Sequence, residues 1–168
     1  MRTDNPTIYV SDPAHQRGAW IDATQDPEDI RLEITDRVKT EEYTIFDYDG
    51  FGPVEIREYA PLDVVSRVAQ GIKEHGNAFA HWVTDVLGSV DYLSEPSRFE
   101  DAYLGTWKDV EAYADSLIDD MGWYAVMEEH RIPIGYFDIK AFARDLVLGG
   151  DIAASEDGLE VHIFDPRI

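Results

Sequence analysis

The sequence predicts an α+β protein, an elongated chain of three small modules in a row. Short runs of branched and aromatic residues open the chain, apolar residues recur at helical spacing through its middle, and two further short runs flank a turn signal near its end. The predicted modules are 1–52 (N-terminal strands plus a helix), 53–122 (central, acidic and helical) and 123–168 (C-terminal helices plus a β-hairpin).

The N-terminal module begins with short strands. They are predicted at three runs of branched and aromatic residues: 7–10, 19–21 and 43–46. Asp26 and Pro27 predict a helix start between the second and third runs, with Asp26 as N-cap and Pro27 at the first helical position. Ile30, Ile34 and Val38 then recur at helical spacing, so they give this helix its apolar face.

The central module reads as helical. Pro61 opens a helix that Gly71 weakens and Gly76 ends. Its apolar face is formed by Leu62, Val65, Val68 and Ile72. Asn77 is predicted to cap a second helix. The inward side chains of that helix are Phe79, Trp82, Val83, Val86, Leu87 and Val90.

A third central helix is predicted after Ser97, because Ser97 and Glu100 match a capping box. The period that follows is the cleanest in the chain. It comprises Tyr103, Leu104, Trp107, Val110, Ala114, Leu117 and Ile118. Gly122 stands where a C-terminal glycine belongs, so this helix is expected to be continuous up to that residue.

The C-terminal module is predicted to hold two helices and a hairpin. The first helix starts at Trp123 and ends near His130, and Asp138 caps the second, which stops at Gly149-Gly150. The hairpin pairs 152–155 with 159–164 around the turn signal Asp157-Gly158.

The composition fits a folded protein in a reducing compartment. Of 168 residues, 44% are hydrophobic and 12% aromatic, which is too apolar for a disordered chain. There is no cysteine, so disulfides and thiolate metal sites are excluded. The N-terminus carries no apolar run typical of a signal peptide, and no stretch approaches the length of a membrane span. We therefore expect a cytoplasmic protein.

The charge is the most informative property. There are 35 Asp+Glu against 14 Lys+Arg, a formal net charge of -21. Such a chain repels nucleic acids and anionic membranes and attracts basic surfaces. Because the carboxylates also repel one another, an excess this large calls for a reason: a basic partner, bound metal, or adaptation to high salt.

Motifs for catalysis and cofactor binding are missing, and we predict neither an enzyme nor a cofactor or metal site. The histidines are scattered and form no zinc-type pair: His15, His75, His81, His130 and His162. The stretch Asp47-Tyr48-Asp49-Gly50 resembles a fragment of a calcium loop. However, Ile45 and Ile56 stand where a full loop needs acidic ligands.

Acidic residues bunch in the middle of the chain. Residues 85–129 contain twelve acidic residues and only two basic ones, Arg98 and Lys108, which gives a local net charge of -10. Asp115 and Asp119 are one helical turn apart, about 6 Å, a spacing at which like charges destabilise a helix. A solvated helix face normally mixes signs, so the pattern favours a charge-driven interaction. The predicted acidic surface comprises Glu41, Glu42, Asp47, Asp49, Asp85, Asp91, Glu95, Glu100, Asp101, Asp109, Glu111, Asp115, Asp119, Asp120, Glu128 and Glu129.

The C-terminal third carries a resemblance to a known family. Residues 136–146, YFDIKAFARDL, resemble the motif Y-I-D-Y-x-A-Y-G-R-D-L of the ArdA antirestriction proteins. The matching positions are Tyr136, Asp138, Ala141, Arg144, Asp145 and Leu146, and the departures are Ile139, Phe142 and Ala143. Upstream, 117–122 resembles the family's L-I-E-E-x-G, and Ile132-Pro133 falls where the family often has an apolar residue and proline.

The N-terminal part agrees with this resemblance. Ile8-Tyr9-Val10 and Gly18-Ala19-Trp20 resemble the opening strand and the G-x-W of the family. Residues 41–48, EEYTIFDY, resemble its E-E-Y-x-I-H-D-Y, with Phe46 in place of histidine. The landmarks follow in the family's order along nearly the whole chain.

The resemblance implies a function. ArdA proteins are elongated, curved dimers carried by mobile elements and phages; they are not enzymes. They mimic bent B-form DNA and occupy the DNA site of type I restriction-modification enzymes. The resemblance therefore implies a homodimer that inhibits such an enzyme stoichiometrically and binds no nucleic acid or membrane itself.

Rival interpretations remain open from sequence. Asp outnumbers Glu by 21 to 14 and there are only four Lys, a balance that a salt-adapted protein could show. The protein could also inhibit another basic DNA-binding protein, without a restriction target. An enzyme using the pairs Asp119-Asp120 or Glu128-Glu129 is disfavoured, because adjacent helical residues point apart.

Overall fold

The computed structural model describes residues 4–168, and its architecture confirms the α+β class. The strands are β1 Thr7–Asp12, β2 Arg17–Asp22, β3 Thr44–Asp49, β4 Tyr103–Trp107, β5 Ala153–Asp157 and β6 Glu160–Phe164. The α-helices are α1 Pro27–Val38, α2 Leu62–His75, α3 Asn77–His81, α4 Arg98–Ala102, α5 Val110–Asp120, α6 Trp123–Glu129 and α7 Ile139–Leu148. A π-helical turn continues α3 over Trp82–Val86, and 3-10 turns cover Val90–Tyr92 and Ile134–Tyr136.

The first sheet is antiparallel with strand order β2-β1-β3. One face is apolar, since Ile8, Val10 and Ile21 are fully buried, and α1 packs against β1 and β2. The three predicted strands and the helix between the second and third are thus confirmed. Pro27 takes the first position of α1 as predicted, whereas the Asp26 side chain makes no capping hydrogen bond.

Helices α2 and α3 are joined more tightly than the sequence predicts. Gly76, rather than Asn77, is the residue before α3, and Asn77 is already helical. The chain then widens into the π-helical turn, and Phe79 of α3 and Trp82 of the turn lie in the core with no exposed surface. The single helix predicted as far as Val90 is wrong, because Gly88 follows the π-helical turn and Val90 lies in a separate 3-10 turn.

The continuous helix predicted from Ser97 to Gly122 is also wrong. Helix α4 starts after Ser97 but stops at Ala102, and the next residues form β4 before α5 begins. Gly105, at φ +105°, has a backbone conformation that a helix cannot contain. β4 is hydrogen-bonded to β6, about sixty residues later in the chain, so a non-local pairing overrides the local helical period.

The second sheet has the order β4-β6-β5, and both pairings are antiparallel. The predicted hairpin is confirmed with its turn one residue later, since Asp157 and Glu160 are the last pair and Gly158-Leu159 form the turn. Ile152, Val161 and Ile163 form the core that this hairpin contributes. Half-buried side chains packed against that core are Leu104, Trp107, Val110, Tyr113 and Leu146.

The described chain divides after Ser97 into two compact units. The first contains β1 to β3 and α1 to α3, and the second contains α4 to α7 and the second sheet. The three-module division with boundaries near 52 and 122 stays a prediction. In the part of the chain that the structure describes, the helices are all too short or too polar to span a bilayer.

Candidate functional site

The predicted acidic surface is indeed at the surface. Every one of its sixteen carboxylate side chains, from Glu41 to Glu129, belongs to an exposed residue. The Asp and Glu residues that are less than exposed are Asp12, Asp22, Glu33, Asp157 and Asp165, and none of these is in the predicted set. The net negative charge is therefore carried by solvated groups that a partner can reach.

Few Lys or Arg side chains neutralise the negative charge of this surface. Within residues 4–168, only Asp91 of the set has a Lys or Arg nitrogen within 4 Å, the Nη1 atom of Arg57 at 3.9 Å. Asp85 faces the imidazole of His81 at 3.5 Å. The other Lys and Arg side chains that form ion pairs contact acids outside the set. These pairs are Arg37–Glu33, Lys39–Asp36, Arg67–Asp63, Arg144–Asp145, and Arg167 with Asp151 and Asp165. Exposed ion pairs stabilise a protein by at most about 1 kcal/mol each. The positions of these pairs therefore affect the electrostatic potential of the acidic surface more than they affect folding stability.

Helix α5 organises the densest part of the surface. Asp109 is its N-cap and accepts a hydrogen bond from the Ala112 amide at 2.7 Å. Ala114 and Ile118 are buried on the inner face. Glu111, Asp115, Asp119 and Asp120 are exposed along the outer side of the same helix. Asp109 thus stabilises α5 and also contributes to the acidic surface, because an acid at a helix N-terminus interacts favourably with the helix dipole.

A contact that the sequence analysis missed modifies Asp115. The chain turns at Gly122 from α5 into α6, and the Tyr124 hydroxyl donates a hydrogen bond to Asp115 Oδ1. This hydrogen bond, with a smaller contribution from burial, raises the pKa of Tyr124 to about 12. The nine-residue separation lies outside the three- and four-residue spacings by which a helix pattern predicts side-chain pairs. Asp115 therefore presents its charge with one oxygen already engaged.

Tyr124 is expected to ionise near pH 12, well above an ordinary tyrosine. Since its pKa is raised in the folded state, the interaction stabilises the protein below pH ~10 and is lost as the pH rises toward 12. In Asp115→Asn, ionisation should move back toward pH ~10, because the hydrogen bond to the carboxylate, the main cause of the raised pKa, is weakened and its negative charge is gone. Tyrosinate absorbance during alkaline titration measures this shift while circular dichroism monitors the fold, and Tyr124→Phe identifies the step. An unchanged titration curve in Asp115→Asn would contradict the assignment.

The remaining acids of the surface lie on other elements or in loops. Glu100 and Asp101 belong to α4, whereas the continuous helix predicted after Ser97 would have placed them on one helix with Asp115. Asp47 and Asp49 lie on β3, where the extended backbone differs from that of a calcium loop. The structure therefore places these carboxylates on separate elements instead of one helix.

The residues of the C-terminal motif have local structural roles. Asp138 caps α7 by accepting a hydrogen bond from the Ala141 amide at 3.0 Å. Arg144 donates to Asp145 Oδ1 through Nε and Nη2, each at 3.0 Å. Leu146 packs against the hairpin core, whereas Tyr136 is 83% exposed. Asp138 and Leu146 therefore support the end of the fold, whereas Tyr136 and the Arg144–Asp145 pair are exposed to solvent.

A hydrogen-bonded chain in the second sheet combines residue types that also occur in catalytic triads. Thr106 Oγ1 lies 2.8 Å from His162 Nδ1, and His162 Nε2 lies 3.0 Å from Asp157 Oδ2. Thr106 and His162 are directly opposed in the pairing of β4 with β6, and His162 is buried. The arrangement ties β4 to the hairpin, which is a structural role for this histidine.

Comparison with known proteins places these features in a family. The sequence profile described as Antirestriction protein (ArdA) matches residues 12–161. The chain belongs to the ArdA antirestriction protein family. A search of curated protein sequences found no match.

Family membership assigns an antirestriction role and favours an inhibitor over an enzyme. Most of the ArdA-like landmarks lie within the matched range, including Gly18 to Trp20 and the motif from Tyr136 to Leu146. Ile8-Tyr9-Val10 precedes it. Because the match covers both compact units, the family assignment applies to each of them.

Proposed function

We propose that this ArdA protein is a DNA mimic that occupies the DNA-binding groove of type I restriction-modification enzymes and inhibits them stoichiometrically. The observation that carries the proposal is the exposed acidic surface, most of which has no Lys or Arg partner within the described residues. Duplex DNA likewise presents closely spaced anions, roughly one per 1.7 Å of helix axis. A groove that binds phosphates through Lys and Arg therefore finds negative charge on this protein as it does on DNA.

The mechanism needs no base edges. Phosphate contacts supply the sequence-independent part of DNA affinity, and they release counterions when basic side chains meet the charged surface. Carboxylates of the acidic surface, those on α5 included, replace the phosphates in those contacts. Association is therefore fast, tolerant of variation among target enzymes, and weakened by salt.

The charge distribution favours a partner over adaptation to salt. Residues 85–129 carry a net charge of -10, whereas 1–84 carry -8 and 130–168 carry -3. The central 45 residues thus hold nearly half of the excess charge. A protein adapted to high salt would acidify its surface evenly, and clustering increases the self-repulsion that opposes folding.

A cytoplasmic homodimer is part of the proposal. Apolar side chains of the second unit remain exposed, among them Val126, Ile134 and Leu148, and exposed apolar surface is typical of association sites. Two copies would double the charged surface offered to one enzyme. Light scattering should then give twice the mass of the 19.1 kDa chain, and the mass of a single chain at micromolar concentration would exclude the dimer.

The test is competition with DNA. A type I enzyme is loaded with this protein, and duplex DNA lacking the recognition sequence is then titrated in. DNA is expected to displace the protein, since both use the same basic groove. A ternary complex that loses neither ligand would contradict mimicry. Displacement from an unrelated basic DNA-binding protein with equal affinity would instead favour a general inhibitor without a restriction target.

A further inference from the structure

The outer face of the first sheet carries a row of aromatic side chains. In the antiparallel register, Tyr9 of β1 lies opposite Trp20 of β2 and Asp47 of β3. Directly opposed residues share a face of a sheet, and the neighbouring Ile8 and Val10 are buried on the other face. Tyr9, Trp20 and Asp47 therefore all point away from the core.

A β-bulge adds a third ring to this face. The pairing runs Tyr9 to Asp47 and then Val10 to Ile45, so Phe46 is the extra residue. A bulge re-aims side chains, and here Phe46 is 78% exposed with its ring edge-on to Tyr9 at a centroid distance of 6.4 Å. Trp20, 44% exposed, contacts Tyr9 from the other side at 5.4 Å.

A glycine makes room for the central ring. A Cβ atom at Gly18 would lie 2.3 Å from the Tyr9 hydroxyl, so the Tyr9 side chain reaches across β2 only because residue 18 has none. The three rings form a continuous row across β2, β1 and β3. Large apolar side chains normally leave the surface, so two exposed rings packed against the half-buried ring of Tyr9 indicate a contact site.

Carboxylates border these rings on the same face. Thr7, two residues before Tyr9, lies opposite both Asp22 and Asp49, so these acids share the face with Asp47. Burial pushes the pKa of Asp22 upward, but hydrogen bonds from Asn5 and Thr24 outweigh it and leave the pKa lowered. The face therefore places three carboxylates beside three rings.

We propose that this surface, Tyr9, Trp20 and Phe46 with Asp22, Asp47 and Asp49, binds arginine side chains of the basic partner. The inference rests on the proposed function and deepens it. A guanidinium is planar and weakly hydrated, so it stacks on a ring while donating to an adjacent carboxylate, whereas a lysine ammonium does this less well. Charge complementarity selects a basic partner, and the rings select arginine within it. Duplex DNA presents no comparable row of aromatic rings to the groove of a DNA-binding enzyme.

The experiment compares two probes of equal charge, nona-arginine and nona-lysine peptides, at one ionic strength. Binding is measured by fluorescence anisotropy of the labelled peptides. The protein is expected to bind nona-arginine about fivefold more tightly, because a planar guanidinium stacks on the rings better than an ammonium does. Trp20→Leu/Phe46→Ser should lose this preference. Tyr92→Ser, which removes a ring 68% exposed outside the face, should keep it.

Two results would overturn the inference: equal affinity of the unmodified protein for both peptides, or an unchanged preference in the double variant. Phe46→Ser alone is the fold-safe second variant, since its side chain is mostly exposed, and it should reduce the preference partly. Asp47→Asn/Asp49→Asn should lower affinity for both peptides. If the arginine preference holds while DNA fails to compete at the restriction enzyme, this surface stands and the DNA-mimic function does not.

Discussion

Replacing Asp101, Asp109, Asp115 and Asp119 together with asparagine is expected to weaken inhibition of a type I enzyme by roughly fourfold to several hundredfold. Each exposed charge contributes roughly 0.2–1 kcal/mol, and about 1.4 kcal/mol corresponds to a tenfold change in affinity. The fold should be retained, because asparagine caps a helix about as well as aspartate and Asp109 is the N-cap of α5. Inhibition of DNA cleavage, with thermal melts beside it, measures both effects.

The single variant Asp115→Asn should leave most of the inhibition, because a distributed charge surface has no dominant residue. A matched control neutralises four exposed acids outside the predicted surface that form no ion pair among the described residues: Asp29→Asn, Glu55→Gln, Glu58→Gln and Glu156→Gln. Both quadruple variants lower the net charge equally. Equal loss in both would show that total charge, and not its location, sets the affinity. Loss of inhibition by folded Asp115→Asn alone would indicate a discrete hot spot instead.

Much of the fold follows from local patterns in the sequence. The run of branched and aromatic residues in β1 and the helical period of Ile30, Ile34 and Val38 depend on neighbouring residues, and the structure confirms both elements. The stretch after Ala102 shows where this reasoning fails. Its apolar residues suit a helix as well as a strand, and the partner strand β6 that decides between them is distant in sequence.

The candidate site divides in the same way. Exposure of the acids could be predicted, because carboxylates without buried partners stay in water. The hydrogen bond from Tyr124 to Asp115 could not, since it depends on the direction of α6 after the turn at Gly122. The row of aromatic rings also depends on a register shift in β3, and no local sequence pattern predicts the bulge at Phe46.

Gly71→Ala is expected to destabilise the first unit, although alanine is the better helix former. The sequence predicts only that Gly71 weakens α2. In the structure a Cβ atom there would lie 2.3 Å from the ring of Phe79, which is fully buried and packs against Trp82 at 5.6 Å. Overpacking costs about 1–3 kcal/mol, and the gain in helix propensity of at most about 1 kcal/mol offsets part of it.

The net loss of roughly 1–2 kcal/mol should lower the melting temperature by several degrees. Gly135→Ala is the control, because its added Cβ meets no atom within 4 Å, and it should leave the melting temperature nearly unchanged. In Gly71→Ala/Phe79→Leu the smaller side chain makes room for the methyl group. The two substitutions should therefore cost less together than the sum of their separate costs. Gly71→Ala melting at or above the unmodified protein would mean that Phe79 relaxes freely, and that the close packing of α2 on α3 does not constrain this core.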